Sequence, residues 1–165
     1  MNRMSDRVGI GFDVHALVES RPLWVGGVKI KHNKGLEGHS DGDVLIHAIV
    51  DALFGAMGAG DLGDHFSSAD QRWKDAKSSA FLKHAKEMMD QKSSELVYLD
   101  SVVMAQRPIL KPYMKSIREN LAGILECPVD LISVKATTTD HLGFLGREEG
   151  MAAQAICLLR SSSAK

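Results

Sequence analysis

An α/β (α+β) fold, with helices packed on one face of a single β-sheet, is what this 165-residue sequence predicts, and three observations predict it. Val8 to His15 alternates with the period of two of a strand. The segment from about Gly42 to Met57 is apolar nearly all round and capped like a helix. The second half then runs strand, helix, strand, strand, the order expected when helices layer on a sheet. At 44% hydrophobic and 25% charged residues, the length suits one domain over 1–165.

In chain order, the strand Val8 to His15 is followed by Leu23 to Lys31, which has Gly26-Gly27 at its centre and returns either as that strand's partner or as a hairpin. Ser40 is the expected N-cap of the first helix, with Asp43 three residues on, and Gly58-Ala59-Gly60 stops it. Phe81, Leu82, Ala85, Met88 and Met89 keep helical spacing between Asp75 and about Gln91, with Lys and Glu opposite. Leu96 to Gln106 reads as a strand. Pro112 suits the first turn of a third helix carrying Met114, Ile117, Leu121 and Leu125. Leu131 to Thr137 and about Met151 to Leu159 read as the last strands, and Ser161-Ser162-Ser163 as a frayed tail.

Composition excludes several classes of function. Twenty basic against twenty-one acidic residues give a net charge of −1, without the excess that phosphate-backbone binding requires, so no nucleic-acid partner is expected. Five Phe, two Tyr and two Trp are too few for a base-stacking platform. The most apolar stretch, Val44 to Ala59, is interrupted by His47 and Asp51, and Met1 to Asp13 has no apolar signal region, so neither a membrane span nor a secretion signal is expected. Cys127 and Cys157 are isolated, which fits a reducing cytoplasm rather than a disulfide framework.

The chemistry concentrates in a few places. Asp43, His47 and Asp51 lie at i, i+4 and i+8 in the first helix, a polar stripe of about 80° on an otherwise apolar cylinder. Burying it requires a metal, a ligand or a hydrogen-bond network; a capping Asp and one satisfied core His would also explain it. Asp13 and His15, two apart on a strand, leave on the same face. With His47 they make an Asp/His/His set with a fourth position open, which suits a catalytic zinc, although the 31 residues between His15 and His47 match no short zinc motif and unrelated surface groups would look the same. His39-Ser40-Asp41-Gly42 at the helix start offers an anion site or simply a cap. Lys135-Ala136-Thr137-Thr138-Thr139-Asp140 ends a strand in three hydroxyls and an acid, suited to phosphate and a divalent ion or to a plain strand edge. Gly143 to Gly150 follows, with an Arg147 and Glu149 that suit binding, assembly or a surface salt bridge. Asp61-Leu62-Gly63-Asp64 is a ligand loop or a polar turn, and Ala105 to Pro112 a stiff loop able to read a flat ring or to start a helix. An open metal site and two phosphate-like sites point to phosphoryl chemistry without naming a substrate.

Together, FDVHAL, HSDGDVLIHAIVDALFGA, GDLGDHF, AQRP and KATTTDHLGFLGREEG closely resemble the 2-C-methyl-D-erythritol 2,4-cyclodiphosphate synthase family, from about Arg7 to Leu159, the expected core. The resemblance implies a homotrimer of α/β subunits, each with a mixed sheet facing the three-fold axis and helices outside, and active sites between neighbouring subunits. It implies that Asp13, His15 and His47 hold one Zn2+ per subunit. The implied substrate is 4-diphosphocytidyl-2-C-methyl-D-erythritol 2-phosphate, whose 2-phosphate attacks the β-phosphorus and expels CMP. His39 and Ser40 match the loop on the erythritol phosphate, with His39 and Thr138 aligned to the transition-state stabilisers. Asp61 and Gly63 match methylerythritol contacts, and Leu62, Phe66, Asp70, Phe144 and Arg147 join the substrate-binding set, as do Asp13 and His15. Ala105, Gln106, Arg107, Pro108, Ile109, Leu110 and Lys111 match the cytosine loop. Thr137, Thr138, Thr139 and Asp140 match the segment on the cytidyl diphosphate and its Mg2+ or Mn2+, with Asp140 as the magnesium ligand. Arg147 and Glu149 match residues lining a central cavity, where an isoprenoid diphosphate is the implied ligand. Asp43 and Asp51 would orient His47 or the neighbouring loop. The implied location is the bacterial cytoplasm, or a plastid after removal of a transit peptide.

Three departures from the family pattern stand out: Phe66-Ser67-Ser68-Ala69-Asp70 where a Pro-Asp segment is common, Ile109 for a frequent Lys, and Asp140 for the usual Glu. The competing readings are a metal-dependent phosphohydrolase of the His-Asp type and a non-catalytic isoprenoid-diphosphate-binding trimer. The first wants a His-Asp dipeptide, which this chain offers only reversed, as Asp64-His65 and Asp140-His141. Intact zinc and phosphate motifs argue against the second.

Overall fold

The computed structural model describes residues 4–67 and 69–162. Five strands form one mixed sheet in the order β4-β1-β7-β5-β6: β1 (Met4–Glu19), β4 (Lys34–Leu36), β5 (Ser94–Met104), β6 (Ile132–Thr137) and β7 (Gly150–Ser162). The β5–β6 pair is parallel, joined through a helix as a parallel crossover requires, and the other pairs are antiparallel. The segment 23–31 is a hairpin of its own, β2 (Leu23–Val25) and β3 (Val28–Ile30), and not a partner of β1. Gly26 and Gly27, at φ of 60° and 74°, form the two-residue turn with both φ positive that closes arms this short onto each other.

Helices α1 (Val44–Met57), α3 (Ser78–Gln91) and α4 (Met114–Leu125) pack against one face of the sheet. α1 is buried along almost its whole length and lies on β1 and β7. It comes this close because β1 has no side chain at Gly9 and Gly11: a Cβ there would stand 1.9 Å from the Ala52 carbonyl oxygen and 2.0 Å from that of Ala48. The opposite face is open, and β1 presents Val8, Ile10, Phe12 and Val14 on it at 64%, 64%, 55% and 42% exposure.

Several expected elements differ in detail. The N-cap of α1 is Asp43, whose carboxylate accepts from the Ile46 amide, because Ser40 lies too far upstream and turns its hydroxyl inward. β7 runs to Ser162, so Ser161 and Ser162 are paired with Ser5 and Met4 rather than frayed, while Ser163 lies outside the described residues. Pro112 falls in a 3-10 turn (Lys111–Tyr113) that leads into α4. Two short helices, α2 (Leu62–His65) and α5 (Gly143–Gly146), and strand β4 occupy segments the periodicity leaves as loops, since three or four residues carry no period to read.

Candidate active site

Asp13 and His15 leave β1 toward the helices, and α1 brings His47 over them. Asp13 Oδ2 is 2.7 Å from His15 Nε2 and 3.0 Å from His47 Nδ1, and the two nitrogens are 3.1 Å apart. Tetrahedral ligands about 2.0–2.1 Å from one zinc stand about 3.3 Å from each other, so the trio needs only a few tenths of an ångström of outward movement to accept the ion. The donor set, two imidazoles and one carboxylate with an open side, fits a catalytic rather than a structural metal. Burial pushes the Asp13 carboxyl up, but hydrogen bonds and charge from His15 and His47 outweigh it and hold the group down at about 2. Burial likewise pulls His15 down while the Asp13 carboxylate more than restores it, leaving a net rise.

The polar stripe on α1 divides among three tasks. Asp43, fully buried, accepts from the amides of Gly26 at 2.9 Å, Gly27 at 2.6 Å and Ile46 at 3.1 Å, so it ties the β2–β3 turn to the helix N-terminus. That carboxylate occupies the positive end of α1, so the anion site expected from the helix start itself is already filled. Asp51 accepts from the Leu62 amide at 2.7 Å and fixes the Asp61–Asp64 turn; its pKa is raised by burial against that one donor. Neither carboxylate hydrogen-bonds the His47 ring. The far nitrogen of His47, Nε2, faces hydroxyls instead, Ser78 Oγ at 2.9 Å and Ser40 Oγ at 3.1 Å.

The loop His39 to Gly42 joins β4 to α1, and Gly42 at φ 73° makes the bend where a Cβ would strike the Leu36 carbonyl. Arg21 braces this loop by donating to the carbonyls of Gly38 at 3.2 Å and Ser40 at 2.7 Å. His39 Nε2 reaches the Asp70 carbonyl at 3.2 Å, which links the loop to the segment after Phe66, whose Ser68 lies outside the described residues. Asp61 caps α2 reciprocally with Asp64.

A second group assembles where β5 and β6 end side by side, since their parallel pairing brings the Ala105 amide to the Thr137 carbonyl at 3.0 Å. Ala105, Gln106 and residues 108–111 of the loop, with Ala136, Thr137 and Thr138, line a cleft of about 370 Å³. Asp140 and His141 adopt φ of 50° and 64°, and the Gln106 side chain accepts from the His141 amide at 3.1 Å, holding the two loops together. Thr138 Oγ1 donates to Asp140 at 3.3 Å. Arg147 forms a forked, exposed ion pair with Glu149, and Phe144 is 43% exposed.

The two groups stay apart within one chain. Val14, Ala152, Met104 and Thr137 form one row across four strands, so Thr137 lies about 14 Å from Val14. Asp13 and His15 alternate with Val14 and face the helices, whereas Val14 belongs to the open face. Sequence reasoning missed Arg21 and Ser78, because a lone Arg beside a proline and a Ser in a helix's first turn carry no signal of what they face, and it took Asp41 only as part of the His39–Gly42 segment.

The chain is similar to known proteins over nearly its whole length. The model of the YgbB family matches residues 6–160. The 2-C-methyl-D-erythritol 2,4-cyclodiphosphate synthase of Geobacillus sp. (strain WCH70) is 53% identical over 154 residues, covering 93% of this chain and 98% of that one. The bifunctional IspDF of Campylobacter jejuni superposes with a TM-score of 0.93 at 43% identity, over 96% of this chain and 43% of that longer protein. The IspF of Plasmodium falciparum, solved as a CDP complex, does so with a TM-score of 0.85 at 33% identity, over 96% of this chain and 98% of that one.

Proposed function

The chain belongs to the YgbB family, and from that membership we propose that it is a 2-C-methyl-D-erythritol 2,4-cyclodiphosphate synthase, a phosphorus–oxygen lyase of non-mevalonate isoprenoid biosynthesis. In this reaction an oxygen of the substrate's 2-phosphate forms a bond to the β-phosphorus of the diphosphocytidyl group. The bond from that phosphorus to the oxygen bridging it to the α-phosphate breaks, and CMP leaves with that oxygen. No side-chain nucleophile is consumed. The protein's work is positioning and charge neutralisation.

The observation that carries the reading is the convergence of Asp13, His15 and His47 beside the His39–Ser40 loop, in a chain of this fold. A zinc ion held by those three residues supplies Lewis acidity and a template for the phosphate oxygens. His39 and Ser40 then hold the erythritol phosphate, Asp61 and Gly63 contact the methylerythritol, and Leu62, Phe66 and Asp70 complete the substrate-binding set. The cleft at 105–111 takes cytosine through its backbone, while Thr137, Thr138, Thr139 and Asp140 hold the diphosphate with Mg2+ or Mn2+. His39 and Thr138 stabilise the charge that develops in transfer.

The subunit arrangement belongs to the same proposal. Within one chain the metal site and the cleft are three strand spacings apart, Val14 beside the ligands lying about 14 Å from Thr137 at the cleft, which favours sites completed by a neighbouring copy. The apolar row Val8, Ile10, Phe12 and Val14 supports a homotrimer with the sheets turned toward the axis. Arg147 and Glu149 would line its central cavity, with an isoprenoid diphosphate as the ligand. The whole chain acts as one synthase domain with its core at about 7–159. Among the described residues no helix is long and apolar enough to cross a membrane, and we place the protein in a bacterial cytoplasm, or in a plastid after loss of a transit peptide.

Phosphorus NMR of the purified protein with the cytidyl substrate and Mg2+ tests the activity. Equal amounts of CMP and cyclic diphosphate are expected. A linear phosphate product would assign a phosphohydrolase instead, and unchanged substrate a binding protein.

A further inference from the structure

We propose that Asp41 and Ser78 are positioning residues that set the direction of the hydrogen bonds behind His47 and thereby keep its Nδ1 free for the metal. The proposal rests on the reading of Asp13, His15 and His47 as a metal site. His47 turns Nδ1 toward Asp13 and His15, so in the metal-binding tautomer its proton is on Nε2. That nitrogen is buried, and the acceptors within reach are the hydroxyls of Ser78 at 2.9 Å and Ser40 at 3.1 Å. A hydroxyl is ambiguous, since it can accept from Nε2–H or rotate and donate to a bare Nε2. In the second case the ring's proton moves to Nδ1 and the metal face is closed.

Asp41 removes the ambiguity. Its carboxylate takes the Ser78 hydroxyl proton in a short hydrogen bond on Oδ1, so Ser78 Oγ is left to accept from His47. Ser40 Oγ stands 3.3 Å from Ser78 Oγ and can pass its own proton the same way. The acid is fixed from three further sides: its Oδ2 accepts from the Ser78 amide at 3.0 Å, its Oδ1 from the Asp43 amide at 3.2 Å, and its own amide donates to the Ala76 carbonyl at 3.0 Å. Ser78 is fully buried and Ser40 nearly so, which keeps water from supplying the opposite polarity. The direct carboxylate–imidazole pair that often backs a metal-bound histidine is replaced here by a carboxylate acting through one hydroxyl.

Zinc affinity of the purified full-length protein, measured by competition with a chromophoric chelator, tests this without reference to turnover. Ser78→Ala and Asp41→Ala are expected to bind zinc at least tenfold more weakly, while Ser78→Thr, which keeps the hydroxyl, stays within threefold of wild type. Alanine variants within threefold of wild type, or a Ser78→Thr variant as weak as the alanines, would overturn the proposal. NMR of zinc-loaded wild type gives a second reading that depends on no variant folding. A slowly exchanging His47 Nε2–H with a cross-peak to the Ser78 methylene is expected, and a rapidly exchanging proton would overturn it. Wild type that binds no zinc would overturn the metal site itself, which separates the two claims.

Discussion

Asp140 and Cys157 show how far single residues can be argued. Asp140 sits at φ 50°, a conformation that Asp tolerates better than longer side chains, and its exposed carboxylate already receives the Thr138 hydroxyl. A hard cation at about 2.1 Å leaves little slack, so the shorter acid is expected to demand more magnesium than glutamate would. Activity against magnesium concentration should show Asp140→Glu active with an equal or lower half-saturating concentration, and Asp140→Ala with one raised at least fivefold, zinc content being unchanged in all three. An unchanged magnesium curve in the alanine variant would remove Asp140 from the ligand set. Cys157, 2% exposed under α1, donates its thiol proton to the Ala52 carbonyl at 3.3 Å, and burial pushes its pKa from 9.0 up to about 11. The folded chain therefore keeps the proton that the unfolded chain loses. The stabilisation is complete below pH 9 and is lost as pH rises from there to about 11, amounting to about 2–3 kcal/mol. Thermal melts across that range should fall less steeply for Cys157→Ala than for wild type, and parallel curves would show that the thiol stays accessible.

Among the elements, the β1–α1 contact decides the geometry of the proposed metal site, because Asp13 and His15 come from the strand and His47 from the helix. The register of this contact depends on Gly9 and Gly11. An added methyl at either position meets a helix backbone carbonyl, which has no flexible end to move aside. Gly11→Ala, two residues from Asp13, is expected to cost about 3 kcal/mol in urea unfolding and to lower zinc affinity together with stability. A variant as stable as wild type would mean that α1 rides further from the sheet. The turns are ordered by similar means: Asp43 holds the β2–β3 turn and Asp51 the start of α2, so the stripe on α1 organises loops as well as the Asp13, His15 and His47 cluster.

For the whole molecule, one sheet face carries the helices and the other lies bare, with large side chains at Val8, Ile10, Phe12, Val14, Tyr98 and Ile156 on strands next to each other. An apolar area of this kind normally has a partner. On the proposed trimer, Phe12→Asp should leave secondary structure intact but shift the protein to monomer in sedimentation, with activity reduced at least a hundredfold. A fully active monomer would refute shared sites. Complementation gives the converse result: Asp13→Ala trimers mixed with trimers deleted at Pro108-Ile109-Leu110 should regain activity on subunit exchange, because each supplies what the other lacks.

By itself the sequence determined the local and periodic features: the alternation of β1, the apolar run of α1, and the Asp13–His15 pair, whose spacing of two on a strand puts both on one face. Its ordered motifs also identified the family. The tertiary structure alone decided how distant segments meet. Nothing in the spacing between His15 and His47 says that α1 crosses β1 over two glycines, or that Ser78, brought in by α3, lies behind His47. The same holds for Asp43: a capping Asp is one sequence reading of the polar stripe, but its hold on the Gly26 and Gly27 amides and the inward turn of Ser40 come only from the packing. Periodicity reports which face of an element is buried, because burial repeats with the backbone's own period. A hydrogen-bond partner has no such repeat, so it becomes visible only when packing places the two groups within 3 Å of each other.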